Sequence, residues 1–202
     1  MRTISDMLAF AVTAGMLHFE LTATYEIFTA PQLDYEVVVC GDQPVRVGRF
    51  TLEPDLPLDR LHRADTVVVP ALVDVDEPID ANLVEAVRKA HDAGARIVSL
   101  CTGAFVLAEA GLLDGLKATT HWGHTDELAR RYPRVRVDPD VLYVDNGQVL
   151  TSAGKAAAID LSLHLIRRDH GVATANTAAR RLVVPPPRRR AGAVRARAGA
   201  DR

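Results

Sequence analysis

The amino-acid sequence predicts an α/β fold, a three-layer sandwich in which helices cover both faces of a mostly parallel central sheet. Short runs of β-branched residues alternate along the chain with helical patterns, which is typical of βαβ units. Thr66–Val69 is almost pure valine, as expected for a strand that is covered on both faces. The 202 residues, 48% hydrophobic and 25% charged, have the composition of an ordinary globular domain, which excludes a fibrous or largely disordered chain.

The predicted elements of the first half alternate between strand and helix. They are strands at residues 7–12, Tyr35–Cys40 and Thr66–Val69 and helices at residues 19–28 and 82–93. A turn signal at Gly15 separates the first strand from the first helix, and Gly94 ends the second helix, as glycine commonly does. Along the first helix, the apolar stripe of Phe19, Ala23 and Ile27 is predicted to face the core.

The second half continues the alternation and adds a hairpin. Its elements are a strand at Arg96–Leu100, helices at residues 103–110, 156–168 and 173–182, and extended segments within residues 134–149. Gly111 ends the first of these helices. Asn146 and Gly147 form a dipeptide that is typical of hairpin turns, so the extended segments are predicted to pair around them.

Three consecutive prolines at residues 185–187 mark a boundary, because they can neither continue a helix nor pair inside a sheet. We therefore expect a folded domain over residues 1–184 and a disordered tail over residues 185–202. Residues 188–202 contain six Arg and one Asp, so they carry a net charge of +5 and the rest of the chain carries −7. This tail is either a solvated basic segment without function or a site of weak, nonspecific contact with an anionic partner.

The overall composition excludes several classes of protein. A net charge of −2 gives no basic footprint for nucleic acid. No apolar run reaches the roughly 18–20 residues of a membrane span, and the N-terminus lacks the pattern of a signal peptide. The two cysteines cannot form a disulfide framework, which fits a reducing compartment. The expectation is a soluble cytoplasmic domain.

Cys101 is the strongest candidate for chemistry in the chain. It directly follows the predicted strand Arg96–Leu100, and a helix opens within two residues, so its side chain is expected above the carboxyl edge of the sheet. The positive end of that helix is predicted to lower the pKa of the thiol, and Gly103 to allow a sharp turn and close backbone approach. The alternative is a buried structural cysteine, because free cysteine packs like a small apolar residue.

His121 lies twenty residues after Cys101, a distance that lets the chain leave the intervening helix and return beside it. A thiol with a nearby imidazole is an arrangement used in nucleophilic catalysis. The alternative is a loop histidine that satisfies backbone groups. His124 follows three residues later, but two histidines without a third ligand at a recognisable spacing do not predict a metal site.

Glu20 is the third candidate, in the first connection between strand and helix and between apolar neighbours. Its carboxylate either faces the same crevice and tunes the protonation of the thiol, or is an ordinary first-turn glutamate favoured by the helix dipole. Glu26 is a second carboxylate, with more surface character. Asp160 is predicted to be a buried hydrogen-bond anchor, and Cys40 a structural cysteine.

Three short segments carry a resemblance to a known family: SLCTGA at residues 99–104, ATTHW at residues 118–122 and VLTSAG at residues 149–154. Together they resemble the ThiJ/PfpI family, within the class I glutamine amidotransferase-like superfamily, over residues 7–184. Among its members they look most like the amino-terminal sensor domain of AraC-type transcriptional regulators, and RRDHG at residues 167–171 and ARRLVVPP at residues 179–186 strengthen that likeness. Isonitrile hydratases share much of the same pattern. The resemblance implies a flavodoxin-like or amidotransferase-like sandwich.

The resemblance also implies roles for individual residues. Cys101 matches the nucleophile at the elbow, Glu20 the acidic residue beside it, where isonitrile hydratases have aspartate, and His121 the family's histidine. Thr102 contributes a backbone N–H to an oxyanion-type hole, but it stands where family peptidases have histidine, which argues against peptidase activity. Ala71 stands where the family commonly has glycine, and it is expected to strain or close the second half of the hole if its φ is positive.

The function implied by the resemblance is that of a ligand-sensing domain of an AraC-type transcriptional regulator. Such regulators continue into a helix-turn-helix pair, for which we find no pattern here, and a truncated or frame-shifted regulator is our hypothesis. The alternative is a small cysteine-dependent enzyme of the isonitrile hydratase, deglycase or amidase type that uses Cys101. The expected partners are a small-molecule ligand in the Cys101 pocket and a second copy of the chain in a homodimer. We expect no metal, cofactor, membrane or sequence-specific DNA.

Overall fold

The computed structural model describes residues 6–185. The elements in chain order are β1 (Asp6–Ala11), α1 (His18–Phe28), β2 (Tyr35–Cys40), β3 (Val45–Val47), β4 (Phe50–Leu52), β5 (Thr66–Val69), α2 (Ala81–Asp92), β6 (Arg96–Leu100), α3 (Ala104–Glu109), β7 (Lys117–Ala118), α4 (Thr125–Arg131), β8 (Arg136–Val137), β9 (Tyr143–Asp145), β10 (Val149–Ser152) and α5 (Ala156–Arg181). A 3₁₀ turn at Leu58–Arg63 precedes β5. The predicted disordered tail lies outside the described residues, apart from Pro185.

A six-stranded sheet forms the centre of the fold, with the strand order β2-β1-β5-β6-β10-β9. The first five strands are parallel, and only β9 runs antiparallel, against β10. Every residue of β5 is buried, as the valine-rich pattern predicted. The predicted α/β class with a mostly parallel sheet is therefore confirmed. Because the strands are parallel, their carboxyl ends meet at one edge, and the loops at that edge build the site described below.

Helices cover both faces of this sheet. α1 packs against α5, and α2 packs against α3. The crossover through α1 leads from β1 to one side of the sheet, whereas the crossover through α2 leads from β5 to the other. Right-handed crossovers that move in opposite directions lie on opposite faces, so the two helix pairs form the two outer layers of the sandwich.

The orientation of α1 differs from the prediction. Phe19 is 45% exposed, whereas Glu20 is fully buried together with Thr24 and Ile27. The helix is rotated so that a carboxylate, and not a phenyl ring, faces the interior. The rotation is accommodated because Thr24 donates a hydrogen bond to the carbonyl of Glu20 at 2.6 Å and the carboxylate finds partners across the fold.

The second half of the chain follows the predicted pattern with one rearrangement. Gly171, with φ +86°, interrupts α5 and divides it into two helical segments, as predicted. The turn at Asn146 and Gly147 joins β9 to β10, so the predicted hairpin is present. β8, within the same extended stretch, instead pairs in parallel with β7. The hairpin of β3 and β4 and the helix α4 were not predicted, because both are short and lack clear periodicity.

Among the described residues, no helix is long and apolar enough to cross a membrane.

Candidate functional site

Cys101 occupies a sharp, strained turn at the carboxyl end of β6. Its φ of +54° lies in the left-handed region, which costs a non-glycine residue about 1–2 kcal/mol. Neighbouring hydroxyls hold the turn in place: Thr120 Oγ1 donates to the carbonyl of Cys101 at 2.9 Å, and Thr102 Oγ1 donates to the carbonyl of Leu72 at 2.7 Å. A short 3₁₀ turn at Cys101–Gly103 then leads into α3. Strain of this kind persists only where the surroundings over-determine it.

Two glycines allow the backbone to close around the cysteine. A Cβ on Gly103 would lie 2.6 Å from the carbonyl oxygens of Val69 and Pro70, so the helix start can approach the end of β5 only with glycine there. A Cβ on Gly154 would lie 2.2 Å from Cys101 Cβ and 2.5 Å from Sγ. The predicted close approach at Gly103 is confirmed, while the sharp turn is made by Cys101 itself. Gly154, the last residue of the segment VLTSAG, is a further requirement of the site to which the sequence analysis assigned no role.

Glu20 approaches the thiol from α1. Its Oε1 accepts the backbone N–H of Lys155 at 3.1 Å and lies 3.4 Å from Lys155 Nζ. Its Oε2 is buried and has no hydrogen-bond partner among the described residues. The start of α1 is fixed against the end of β5, because the N–H of Leu17 donates to the carbonyl of Ala71 at 2.8 Å. A fully buried carboxylate therefore lies beside Cys101, with Oε1 paired to Lys155 and with the thiol as a further neighbour whose pKa the carboxylate raises by its charge and by hydrogen bonding.

Burial first, and the negative charge of Glu20 second, together raise the pKa of the Cys101 thiol to about 12. The backbone N–H of Thr102 and the ammonium of Lys155 oppose this shift but do not outweigh it. The prediction of a lowered pKa is therefore wrong. The physical reason is that the thiol is only 2% exposed, so the desolvation of a thiolate outweighs the field of a helix of six residues.

His121 lies near this pair but does not bind the thiol. Its Nδ1 accepts the N–H of Gly123 at 3.3 Å, which caps the short turn Trp122–His124. Among the described residues, no hydrogen bond joins His121 to Cys101. The pKa of His121 is lowered, mainly by burial. The charges of His124 and Lys155 lower it further, whereas that of Glu20 raises it. His121 is therefore mainly neutral at physiological pH, and the charges of the site affect its pKa without a direct bond to the thiol.

The predicted oxyanion residues have ordinary backbone geometry. Ala71 is fully buried and is not among the non-glycine residues with positive φ in the described part of the chain, which are Cys101, Lys155 and Val183. The predicted strain at Ala71 is therefore absent, because alanine adopts this conformation without cost. Thr102 is buried, and its N–H lies beside the sulfur of Cys101.

The remaining candidates lie away from the site. Cys40 is buried at the end of β2, and burial together with Asp55 raises the pKa of its thiol to about 11. Asp160 is buried in α5, and Glu26 is exposed on α1. No group of three or more His, Cys, Asp or Glu side chains in residues 6–185 is arranged to hold a metal ion. The residue that sequence reasoning missed is Lys155, for which no local pattern exists, since its partner lies 135 residues away.

Comparisons with known proteins agree with this architecture. The sequence pattern of the DJ-1/PfpI family matches residues 7–168. The HTH-type transcriptional regulator CdhR of Pseudomonas aeruginosa is 36% identical over 145 residues, which are 71% of this chain and 43% of the regulator. The chain thus spans less than half the length of that relative.

Two further comparisons cover most of the chain. The isonitrile hydratase of Pseudomonas putida is 29% identical over 171 residues, which are 83% of this chain and 74% of the hydratase. The crystal structure of an AraC family transcriptional regulator from Pseudomonas putida superposes with a TM-score of 0.74 at 20% identity, covering 88% of this chain and 99% of that one. At this identity the superposition shows the shared fold.

Proposed function

Since the chain belongs to the DJ-1/PfpI family, we propose that it is the ligand-sensing domain of an AraC-type transcriptional regulator and that its ligand binds at Cys101. Its homologues include several HTH-type transcriptional regulators, among them CdhR and GbdR of Pseudomonas aeruginosa. The similarity to CdhR covers 71% of this chain and leaves more than half of the regulator unmatched. For this chain we therefore propose the sensing role alone, and not the whole activity of a regulator.

The observation that carries the sensing role is the state of the Cys101 thiol. A thiol with a pKa of about 12 is protonated at neutral pH, and the protonated form is a poor nucleophile. The same thiol, together with Oε2 of Glu20, is suited to recognise a polar ligand, because this buried oxygen accepts no N–H or O–H group from the described residues and gains a hydrogen bond when such a donor arrives. The site therefore favours recognition over attack.

We further propose a cytoplasmic homodimer that takes no metal or cofactor. Support for self-association comes from large apolar side chains left exposed on the monomer, among them Phe19, Phe50, Val73 and Trp122. Light scattering on the purified chain measures its molecular mass and so tests the proposed homodimer. A concentration-independent monomer mass would reject it.

A second candidate function is a cysteine-dependent enzyme related to isonitrile hydratase. Two observations favour it: the relative matches 83% of the chain, and Cys101 keeps the strained elbow geometry, with the Thr102 N–H beside its sulfur. Hydration of an isonitrile adds one water across the terminal carbon and yields an N-substituted formamide. This reaction requires proton transfer to that carbon, a role open to the protonated Cys101 thiol.

Recovery of the bound molecule separates the two functions. Small metabolites that raise the melting temperature of the purified chain are identified first, since a ligand that binds only the native state stabilises it. Each is then incubated with the protein and analysed by mass spectrometry. A sensor returns its ligand unchanged, and Cys101→Ala or Cys101→Ser alters affinity alone. Formation of a formamide from an isonitrile, lost in Cys101→Ser, would replace the sensing role by the enzymatic one.

A further inference from the structure

We propose that Lys155 selects the ligand of the Cys101 site through its ammonium group, so that the site takes small organic anions, of which carboxylates are the simplest. This inference rests on the proposed ligand site at Cys101 and adds the chemical class of the ligand. It is carried by the position of Lys155, by the free hydrogen-bonding capacity of its ammonium and by its backbone conformation.

Lys155 lies between the buried site and solvent. It directly follows Gly154, whose Cα faces the Cys101 side chain so closely that a Cβ would lie 2.5 Å from Sγ. The side chain of Lys155 is 53% exposed, whereas that of Glu20 behind it is 0% exposed. A molecule that approaches Cys101 from this side therefore meets the positive charge before the negative one.

The ammonium of Lys155 keeps capacity for a ligand. A lysine ammonium has three N–H donors, and within the described residues its polar contact is Glu20 Oε1 at 3.4 Å. This distance exceeds that of a normal N–H···O hydrogen bond, so the contact is an ion pair and does not consume a donor in good geometry. The same Oε1 already accepts the backbone N–H of Lys155 at 3.1 Å. An incoming carboxylate can bind the ammonium without displacing Glu20.

The backbone of Lys155 is held in a strained conformation that serves this arrangement. Its φ is +49°, which an L-residue adopts at a cost of about 1–2 kcal/mol. In this conformation the N–H points to Glu20, and the half-exposed side chain places its ammonium 3.4 Å from the same carboxylate oxygen. Together with Cys101, it is one of three non-glycine residues with positive φ in the described chain, and these two adjoin each other across Gly154. Strained residues cluster at ligand sites.

The charge of Lys155 also reaches the two other groups of the site. It acts on the titration of both Cys101 and His121. An anion bound to the ammonium is thus within electrostatic range of the thiol and the imidazole. The buried Oε2 of Glu20, which accepts no N–H or O–H group from the described residues, then provides an acceptor for such a group of the same ligand.

Two alkylating reagents that differ only in charge test the inference. Iodoacetate and iodoacetamide react with a thiolate in the same way: sulfur displaces iodide from carbon, and the thiol proton goes to solvent. The rates of both are measured at Cys101 of the full chain by mass spectrometry of its peptide. Their ratio cancels the thiolate fraction, because both reagents require the same ionised sulfur. N-Acetylcysteine amide, a neutral thiol, supplies the reference ratio in the same buffer.

We expect the iodoacetate-to-iodoacetamide ratio at Cys101, expressed relative to this reference, to fall about two- to fivefold from the wild type to Lys155→Met, as the loss of a partly exposed ion pair implies. Lys155→Arg should keep the ratio, and so should Lys89→Met, which removes an exposed lysine from α2. The fold is not at stake in these variants, because the backbone N–H to Glu20 remains.

A ratio unchanged in Lys155→Met, or an equal fall in Lys155→Arg or Lys89→Met, would overturn the inference. None of these measurements involves transcription or turnover. Rejection of the anion preference therefore leaves the ligand-recovery experiment for the proposed function to be decided on its own.

Discussion

Glu20 Oε1 accepts the backbone N–H of Lys155 at 3.1 Å, although 135 residues separate the two along the chain. This bond ties the first helix to the start of the last one and places a buried carboxylate beside the Cys101 thiol. Because the carboxylate is fully buried, its charge acts on the thiol with little screening by solvent. Beyond the effect of burial, the pKa of Cys101 therefore depends on two residues from opposite ends of the domain, Glu20, which raises it, and Lys155, which lowers it.

Replacing Glu20 by glutamine should lower the pKa of Cys101. Burial and the negative charge of Glu20 both raise that pKa, and Glu20→Gln removes the second effect while keeping the shape of the side chain. The fraction of thiolate at neutral pH rises, and alkylation of Cys101 by iodoacetamide becomes faster at every pH below the new pKa. The pH dependence of the alkylation rate gives the pKa directly.

Glu26→Gln is the matched control, because it removes an exposed carboxylate from the same helix. It should leave the alkylation profile unchanged. A pKa of Cys101 that stayed the same or rose in Glu20→Gln would contradict the role assigned to the Glu20 charge.

Gly154→Ala should destabilise the protein more than an ordinary glycine substitution at positive φ. The new methyl group would lie 2.2 Å from Cys101 Cβ, so one of the two strained segments must move. Overpacking and left-handed strain together predict a loss of about 2–4 kcal/mol in the free energy of unfolding by urea. Gly147→Ala, at φ +90° with no atom within 4 Å, should lose only about 1–2 kcal/mol. Equal losses in the two variants would contradict the close packing at Cys101.

The sheet was predictable from the sequence because its signal is local. Tyr35–Cys40, Thr66–Val69 and Arg96–Leu100 have the bounds that their β-branched runs predicted, since strands buried on both faces leave continuous apolar segments. The elbow at Cys101 was predictable for a similar reason, because strand, cysteine and glycine are consecutive.

The electrostatics of the site were not predictable in this way. Hydrophobic periodicity assigns Phe19 to the core of α1, but Glu20 is buried there, because its partner Lys155 comes from a distant part of the chain. The direction of the Cys101 pKa depends on burial, which the motif does not encode. Lys155 has a positive φ without being the glycine that normally signals one.

Binding of DNA by this chain should be weak, independent of sequence and lost as the salt concentration rises. Residues 1–187 carry a net charge of −7, and the six Arg of residues 188–202 offer only nonspecific contacts to phosphate. Fluorescence anisotropy with two unrelated duplexes over a range of salt concentrations measures this. A chain that ends at Pro185 is the control and should lose the residual binding. Tight binding of one duplex over the other at physiological salt would revive a direct role in DNA recognition.

Asp169 should contribute to stability in a manner that depends on pH. Burial raises the pKa of its carboxyl, but hydrogen bonds from Arg96 at 2.6 and 2.8 Å and from Tyr35 at 2.6 Å outweigh burial and lower it below the usual range. A carboxyl whose pKa is depressed in the folded state stabilises that state above its unfolded pKa of about 3.9, and the contribution disappears as the pH falls through the folded value.

Asp169→Asn should therefore cost about 3 kcal/mol near neutral pH, since it leaves the Arg96 guanidinium without its charged partner. Urea unfolding of both proteins from neutral to acidic pH should show the difference shrinking as Asp169 becomes protonated in the wild type. The control is Asp126→Asn, which removes an exposed carboxylate from the first turn of α4 and should change stability almost equally at every pH. Asp145 would not serve, because hydrogen bonds from His164 and Arg168 also lower its pKa. If the difference in free energy of unfolding between the wild type and Asp169→Asn stayed constant across the acidic range, the charge of Asp169 would not be what stabilises the protein.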